Sequence, residues 1–429
     1  MRTRIYNARI LTMEDQRSIF HGEIQIEDGK ISYVGPEQDD STHESAHWDK
    51  EINANGNLVM PGFKNAHTHS PMTFLRSYAD DMKLQPWLFD KVFPAEACLT
   101  SDDIYWLTKL AIMEYLTTGV TAAFDMYKLK EDTARAAKEC GFKVVFCGDI
   151  NDFGGTVSDM EEDYLRYNQE TEPLLSYQIG FHAEYTTGKE LLEKIANLAH
   201  KYKAPVYTHC SETRKEVEDC RKHSKMSPIE YLSSLGLFDH GGGLFHGVFP
   251  DDSDFKILKE KGIYVVTNPA SNLKLASGIA PIKSYLDQEI KVAIGTDGPA
   301  SNNCLDLFRE MFLVTGLQKV FCNDPEAVPA QEVLKMATVN GALCMGISDC
   351  DVLAKGKRAD LIMIDLMQPN MQPLQNIEKN IVYSGSKQNV IMTMIEGNIL
   401  YQNQQFYIGE DAETIYKHAN AIARRILNE

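Results

Sequence analysis

The spacing of hydrophobic positions divides the chain into a short alternating part and a longer part of mixed strands and helices. In residues 4–13 and 22–35, β-branched and aromatic side chains alternate with polar ones, and Asp28-Gly29 interrupts the second run. That dipeptide between alternating runs predicts a two-residue hairpin. Residues 38–51 are rich in Asp, Ser, His and Glu, which predicts an exposed loop.

The longer part alternates strand-like hydrophobic runs with helical patterns. A first run at 58–60 is followed by seven more, at 120–126, 142–150, 177–186, 205–213, 243–249, 263–268 and 290–297. Helical spacing separates most of them, for example at 102–119, 189–202 and 254–262. Eight strands alternating with helices over about 290 residues predict an α/β fold, a (β/α)₈ TIM-like barrel. A doubly wound open sheet is the alternative, but it needs a glycine-rich phosphate turn, which Gly62 alone does not form.

Strand patterns return after residue 350. Runs at 359–365 and 389–401 predict strands, the second with a turn at 396–398, and residues 412–427 place an apolar stripe along a last helix. We expect both chain termini to form one small flanking β-sandwich domain. The predicted segments are 1–58 for its first part, 59–350 for the barrel, and 351–429 for its second part with the terminal helix.

Composition restricts the classes of partner. The 429 residues are 43% hydrophobic and 24% charged, as in ordinary soluble globular proteins, and the formal net charge is −18. This acidic balance argues against nucleic acid or an anionic membrane as the partner. The nine cysteines are scattered and contain no Cys-x-x-Cys pair, which predicts free thiols in a reducing cytosol. We expect a cytoplasmic protein that binds a small molecule and no membrane, and the sequence leaves homo-oligomerisation open.

Five histidines and an aspartate stand where predicted barrel strands end. The ends of the first, fourth, fifth, sixth and eighth strands supply His67, His69, His182, His209, His246 and Asp297. The carboxyl ends of the strands form the catalytic face of such a barrel. Each residue alone has an ordinary structural interpretation, as a hydrogen-bonded histidine or a turn-forming aspartate. Their common position favours a functional site.

The residue types at these strand ends point to a metal. Three neutral imidazoles and one carboxylate, with room for water, suit one Zn²⁺ ion per chain, with Fe²⁺ as the alternative. Glu212 lies three residues after His209, where a carboxylate can move a proton between water and a leaving nitrogen. The alternative for Glu212 is a capping role at a helix start. Asp125 is the one spare carboxylate, so a single metal is expected.

The motifs around these residues resemble those of the amidohydrolase superfamily. Over nearly the whole chain they are most similar to the methylthioadenosine/S-adenosylhomocysteine deaminases, with guanine deaminases and triazine hydrolases as related branches. The resemblance rests on PGFKNAHTHSPMTFLRS, THCSET, TNPASNLKLASGIAPI, IGTDGPASNN and KGKRADLIMIDL. It implies a zinc-dependent aminohydrolase that converts an adenosine-type nucleoside to the inosine analogue and ammonia. The substrate would be 5′-methylthioadenosine, 5′-deoxyadenosine or adenosine, with S-adenosylhomocysteine less favoured.

The resemblance also implies catalytic roles. The metal ligands would be His67, His69, His209 and Asp297. Glu212 and Asp297 would transfer protons, and His246 would hydrogen-bond the attacking hydroxide.

Substrate contacts follow from the same resemblance. His182 and Ser301 would contact the substrate, Trp87 would pack against it, and Glu96 would accept hydrogen bonds from ribose hydroxyls. The sequence alone leaves a structural alternative for two of them, Trp87 in the core and Glu96 on the solvated surface.

The segment between the third and fourth strands departs from the family pattern. Arginines there would bind the homocysteine carboxylate, but residues 147–180 contain only Arg166, and Cys147 and Asp159 fall about where those arginines would be. Because an aspartate repels a carboxylate, we expect a nucleoside with an uncharged 5′ group.

Glu184, in the HAEY motif, is the second departure, since the family has a small residue or proline there. A carboxylate at this position can read a donor on another ring. It leaves open hydrolysis of a different amino-heterocycle, such as guanine, a pterin or a triazine. A barrel without catalysis would be expected to have lost ligands, and a nucleic-acid deaminase would need a basic channel.

Overall fold

The computed structural model describes residues 1–38, 48–169 and 172–427. Most of the loop predicted at 38–51 lies outside these residues. The strands are β1 (Arg2–Ile10), β2 (Phe20–Glu27), β3 (Lys30–Gly35), β4 (Lys50–Asn53), β5 (Leu58–Pro61), β6 (Phe63–Thr68), β7 (Val120–Asp125), β8 (Lys143–Cys147), β9 (Leu175–Ala183), β10 (Val206–Cys210), β11 (Gly242–His246), β12 (Ile263–Thr267), β13 (Val292–Ile294), β14 (Leu361–Ile364), β15 (Val390–Ile395), β16 (Asn398–Gln402) and β17 (Gln405–Phe406).

Helices connect most of the barrel strands. The α-helices are Leu84–Pro86, Phe93–Glu96, Ser101–Thr117, Lys130–Cys140, Val157–Tyr167, Lys189–Tyr202, Arg214–Ser224, Pro228–Ser234, Asp252–Glu260, Pro269–Lys274, Ile282–Asp287, Pro299–Asn302, Leu307–Phe321, Ala330–Ala337, Val339–Met345, Ile377–Tyr383 and Ala412–Leu427. Shorter helical turns are Ser70–Leu75, Trp87–Val92, Glu184–Thr186, Ser348–Cys350, Pro369–Met371 and Lys387–Asn389. None of the described helices is long and apolar enough to cross a membrane.

Eight parallel strands form the barrel, in the order β6 to β13 along the sheet. Hydrogen bonds join its two ends, because the backbone N–H groups of Thr296 and Asp297 donate to the His67 carbonyl at 3.1 and 3.0 Å. The Asn65 amide side chain adds bonds of 2.7 and 2.9 Å to Thr296. The prediction of a (β/α)₈ barrel is confirmed, and its closure lies beside the histidine motif.

The predicted first barrel strand at 58–60 is wrong in its location. The strand β5 pairs antiparallel with β14 and parallel with β1, both outside the barrel. Gly62 separates β5 from β6, which begins the barrel at Phe63. Because both strands are completely buried, their hydrophobicity alone could not assign them to different sheets.

The second sheet contains nine strands from both ends of the chain, in the order β17-β16-β15-β14-β5-β1-β2-β3, with β4 beside β1. The hairpin predicted at Asp28-Gly29 joins β2 to β3, and the turn predicted at 396–398 joins β15 to β16. Buried ion pairs connect this sheet to the barrel, since Lys143 Nζ lies 2.5 Å from Asp360 and 2.8 Å from Glu396. The prediction of a flanking β-structure from both termini is confirmed.

The predicted last helix, Ala412–Leu427, packs beside the barrel. Its His418 ring stacks on Trp106 with 3.9 Å between ring centroids. Its buried Ile422 belongs to the same apolar cluster as Trp87. The end of the chain therefore supports a segment that the sequence placed at the site.

Candidate active site

Four side chains converge at the carboxyl end of the barrel. His67 lies in β6 and His69 directly after it, while His209 lies in β10 and Asp297 follows β13. One potential ligand atom from each lies within 4.8 Å of the others. The Nε2 atoms of His69 and His67 lie 3.1 and 3.4 Å from Asp297 Oδ1. The structure thus brings together the four residues that were predicted to bind a metal.

Backbone carbonyls orient two of the imidazole rings. His69 Nδ1 lies 2.6 Å from the Met126 carbonyl oxygen, and His209 Nδ1 lies 2.7 Å from that of His182. Because a carbonyl oxygen only accepts, Nδ1 carries the proton and Nε2 offers its lone pair. Metal-ligating histidines are commonly held by such partners.

His67 tests whether the cluster fits a cation. Its buried ring stacks on Phe245 at 3.8 Å between centroids. Apart from the approach to Asp297, neither ring nitrogen has a hydrogen-bond partner among the described residues. Leaving a buried polar group unpaired costs roughly 1–3 kcal/mol, which a metal at this position would relieve. Burial lowers the pKa of His67 to about 3, so the ring is neutral, and the donor set fits a divalent ion.

The electrostatics of the cluster centre on His69 and Asp297. Burial opposes charge on both, but the hydrogen bond to Asp297 raises the pKa of His69 to about 9. The two neighbouring histidines lower the pKa of Asp297 well below its ordinary value despite its burial. Burial lowers the pKa of His209 well below its ordinary value. The cluster therefore offers an anionic carboxylate and neutral imidazoles, the donors that Zn²⁺ prefers.

Two serines hold the Asp297 carboxylate. Ser271 and Ser301 donate to its Oδ2 at 2.6 and 2.7 Å, which leaves Oδ1 beside the histidines. The structure therefore places the hydroxyl of Ser301, predicted as a substrate contact, on Asp297. Asp297 and His246 have φ values of +59° and +76°, a backbone conformation that costs energy in residues other than glycine and concentrates at functional sites.

Glu212 and His246 face each other beside this cluster. His246 Nε2 lies 3.9 Å from Glu212 Oε2, and His246 Nδ1 lies 2.8 Å from Asn272 Oδ1. Ser277 donates to Glu212 Oε1 at 3.4 Å. Burial raises the pKa of Glu212, against the opposing charge of His246. A carboxyl with a raised pKa is suited to take up and release a proton near neutral pH.

The helix-capping role belongs to Glu216. Helix Arg214–Ser224 begins with Thr213 as its N-cap and Glu216 as the second member of the capping box. The Glu216 carboxylate also accepts from the backbone N–H groups of Ser211 and Glu212, at 2.6 and 2.8 Å. The alternative interpretation of Glu212 as a cap is therefore wrong, because its side chain is not part of the helix start.

His182 lies where β9 ends at the opening of the barrel. Its Nδ1 is 2.8 Å from Thr186 Oγ1, and its ring centroid is 6.4 Å from that of Phe93. Phe93 begins the short helix Phe93–Glu96. The segment that carries Trp87 and Glu96 therefore lies against this opening.

Trp87 and Glu96 are both buried, with 6% and 9% of their surface exposed. Trp87 packs in a cluster with Met72 and Tyr127, and its Nε1 has no hydrogen-bond partner among the described residues. Glu96 accepts a hydrogen bond from the Tyr127 hydroxyl, and burial raises its pKa. The surface interpretation of Glu96 is wrong, whereas Trp87 combines core packing with an available N–H donor.

Glu184 faces the neighbouring helix Arg214–Ser224. Its Oε1 lies 3.0 Å from His223 Nε2, and Cys220 completes the group. These contacts occupy the carboxylate that was expected to read a substrate ring. Glu184 therefore receives no role in substrate binding below.

Asp125 does not join the metal-ligand group. Its Oδ1 accepts a hydrogen bond of 2.9 Å from the Ser70 backbone N–H. This arrangement agrees with a single ion in the cluster. Sequence reasoning missed the individual contacts of Ser271, Asn272 and Ser277, although all three lie within the TNPASNLKLASGIAPI motif.

Comparison with known proteins agrees with this geometry. The model of the amidohydrolase family matches residues 58–400. A 5-methylthioadenosine/S-adenosylhomocysteine deaminase of Desulforamulus reducens is 38% identical, with 98% of both chains covered. A 5′-deoxyadenosine deaminase of Methanosarcina acetivorans is 36% identical over 99% of this chain and 98% of that protein.

A crystal structure of an adenosine deaminase of Xanthomonas campestris with bound zinc superposes with a TM-score of 0.93. It is 29% identical and covers 100% of this chain and 99% of its own. The family model covers well over half of the chain, and the relatives match it along its length. By its fold, its strand-end ligand cluster and these similarities, the chain belongs to the amidohydrolase family.

Proposed function

We propose that this protein is a Zn²⁺-dependent hydrolytic deaminase of adenosine-type nucleosides that carry an uncharged 5′ group. The observation that carries the proposal is the convergence of three histidines and Asp297, with Glu212 and His246 directly beside them. The full-length relatives named for adenosine-type deamination support the substrate class.

His67, His69, His209 and Asp297 would hold the ion. A divalent ion bound there would lower the pKa of a water molecule from 15.7 toward ~7.

Glu212 would move protons during the reaction. Its buried carboxylate accepts a proton from the attacking water and passes it to the ring nitrogen next to the amine-bearing carbon. The water oxygen bonds to that carbon, the C–N bond breaks, and the amine leaves as ammonia after taking up a proton. Such proton transfer contributes typically 10²–10⁴-fold to the rate. Asp297, held by Ser271 and Ser301, is placed to assist the transfer to the leaving amine.

His246 would orient the attacking water. The hydrogen bond between its Nδ1 and Asn272 directs Nε2 towards Glu212. A ring fixed in this way needs no reorganisation when charge develops on the water oxygen.

The nucleoside would be bound by the segment at the barrel opening. Glu96 accepts hydrogen bonds from ribose hydroxyls, Trp87 packs against the substrate, and His182 contacts it. The short distance between the Phe93 and His182 rings supports this grouping.

The 5′ group would be uncharged. Cys147 is completely buried, and Asp159 caps a helix start by receiving a hydrogen bond from Thr156. Arg166 forms an ion pair with Glu131. No arginine of residues 147–180 is thus left for a carboxylate, which favours 5′-deoxyadenosine and methylthioadenosine over S-adenosylhomocysteine.

Ammonia release tests the proposed reaction. Zinc-loaded protein is expected to release ammonia from 5′-deoxyadenosine and shift its absorbance to that of the inosine analogue. Chelator-treated protein should lose this activity and recover it when Zn²⁺ is restored. Equal activity before and after verified metal removal would contradict the proposal.

A further inference from the structure

A second group of metal-ligating side chains lies outside the site described above. Glu184, Cys220 and His223 each offer one ligand atom, and the three atoms lie within 4.8 Å of one another. Glu184 belongs to the turn Glu184–Thr186 after β9, whereas the other two residues lie on helix Arg214–Ser224. The group therefore links two separate elements of the barrel opening.

The helix presents its two ligands on one face. Cys220 and His223 are three residues apart, the spacing of neighbours on a helix surface. His223 Nδ1 lies 2.9 Å from the Asp219 carbonyl oxygen, so Nδ1 carries the proton and Nε2 is free to bind. That Nε2 atom lies 3.0 Å from Glu184 Oε1. A carbonyl partner of this kind is typical of histidines that bind metals.

Burial gives the group a closed side and an open side. Cys220 is completely buried, and the Glu184 side chain is only 5% exposed, whereas that of His223 is 54% exposed. The interior thus supplies a thiol and a carboxylate, and the solvent side leaves space for a water molecule as a further ligand. Three protein ligands with one open position are a common arrangement for Zn²⁺.

We propose that Glu184, Cys220 and His223 form a second metal site, which binds Zn²⁺ or another divalent transition-metal ion through sulfur, nitrogen and oxygen. A soft thiolate with an imidazole favours such ions over Mg²⁺ or Ca²⁺. The site is separate from the catalytic cluster and does not depend on the proposed reaction.

The geometry needs only a small adjustment to bind the ion. Zinc bonds of about 2.0–2.3 Å in a tetrahedron separate neighbouring ligand atoms by roughly 3.3–3.6 Å. The present 3.0 Å between Glu184 and His223 is slightly shorter, and the exposed His223 ring can move outwards. A bound ion would fasten the turn beside His182 to the helix that begins two residues after Glu212.

Cobalt substitution separates this site from the catalytic cluster. The four catalytic ligands include no cysteine, so only the second site can give thiolate-to-cobalt charge-transfer absorption. The full-length protein, dialysed against Co²⁺ and then freed of excess metal, is expected to show this absorption in the near ultraviolet. Metal analysis of the zinc-loaded protein should likewise find one equivalent more than the catalytic ion.

Two variants and their controls decide the assignment. Cys220→Ser and His223→Gln should each lose the charge-transfer absorption and one metal equivalent. Cys322→Ser, at a partly exposed thiol, and His21→Gln should retain both. The His223 side chain is largely exposed, so its variant remains informative if Cys220→Ser does not fold. Native protein without the absorption, or either site variant with unchanged absorption and metal content, would overturn the proposal.

Discussion

At the scale of single residues, the site combines buried acids in different environments. Glu212 lies beside His246, Glu216 caps the following helix, and Asp297 is held by serines. Sequence motifs predicted Glu212 and Asp297. They did not reveal that Asn272 orients His246, because this hydrogen bond joins residues 26 positions apart and forms only after two barrel strands become neighbours.

The proton-transfer role predicts the result of Glu212→Gln. The amide keeps the shape but cannot take up and release the proton, so we expect turnover to fall by about 10²–10⁴-fold. Metal content and thermal stability should change little, as measured by metal analysis and thermal unfolding. Glu218→Gln, at an exposed position on the next helix, is the control and should remain active. Turnover of Glu212→Gln within a few-fold of native would contradict the assignment.

A second buried acid predicts how stability depends on pH. Glu310 accepts hydrogen bonds from the Ala270 backbone and, at 3.4 Å, from Asn302, and burial raises its pKa from 4.5 to about 8. The folded state therefore binds the proton more tightly than the unfolded state, so this contribution to stability is lost as pH rises from about 5 to 8. In Glu310→Gln, the thermal midpoint should fall less over this range.

The exposed acid Glu193 provides the comparison for that measurement. Glu193→Gln should reproduce the native pH profile of the thermal midpoint. A Glu310→Gln profile parallel to the native one would show that the buried carboxyl does not contribute.

At the scale of elements, the closure of the barrel places the ligands. His67 is in β6 and Asp297 follows β13, so the ligand cluster exists only where the first and last strands meet. The periodicity of the sequence predicted all eight helix-linked strands except the first, which begins after Gly62. Periodicity could not resolve that boundary because two buried strands of different sheets follow one another.

Gly295 tests the closure. A Cβ atom there would lie 2.5 Å from Asn268 Oδ1 and 2.7 Å from the His67 backbone nitrogen. Gly295→Ala should therefore lower the free energy of unfolding by about 1–3 kcal/mol and weaken metal binding by displacing His67. Thermal unfolding and metal titration measure both effects.

Gly316, in helix Leu307–Phe321, is the matched control for the glycine substitution. A Cβ there has no atom within 4 Å, so Gly316→Ala should be neutral or stabilise by about 0.5–1 kcal/mol. Equal behaviour of the two variants would show that the close approach at Gly295 is unimportant.

At the scale of the whole molecule, the two ends of the chain complete the structure around the barrel. The second sheet joins the first and last strands of the sequence, and helix Ala412–Leu427 reaches the cluster that contains Trp87. Composition and strand patterns predicted these elements. They could not predict that the last helix supports the substrate segment, because this contact joins distant parts of the chain.

Ile422 tests that support. It is buried in the cluster with Trp87, so Ile422→Ala should destabilise the protein by about 2–5 kcal/mol. Because the segment at the opening loosens, KM for the nucleoside should rise more than kcat falls. Tyr416→Ala, on the exposed face of the same helix, should leave thermal stability and KM nearly unchanged. An Ile422→Ala protein with native KM would separate the helix from the site.

The central claim is deamination of a nucleoside with an uncharged 5′ group, and a comparison of kcat/KM across substrates tests it most directly. Zinc-loaded protein would be assayed for ammonia release from 5′-deoxyadenosine, methylthioadenosine, adenosine, S-adenosylhomocysteine, guanine and a pterin. We predict high kcat/KM for the uncharged adenosine analogues and a much lower value for S-adenosylhomocysteine. Activity confined to guanine or the pterin would contradict the account, and S-adenosylhomocysteine as the best substrate would contradict its assignment of the 5′ group.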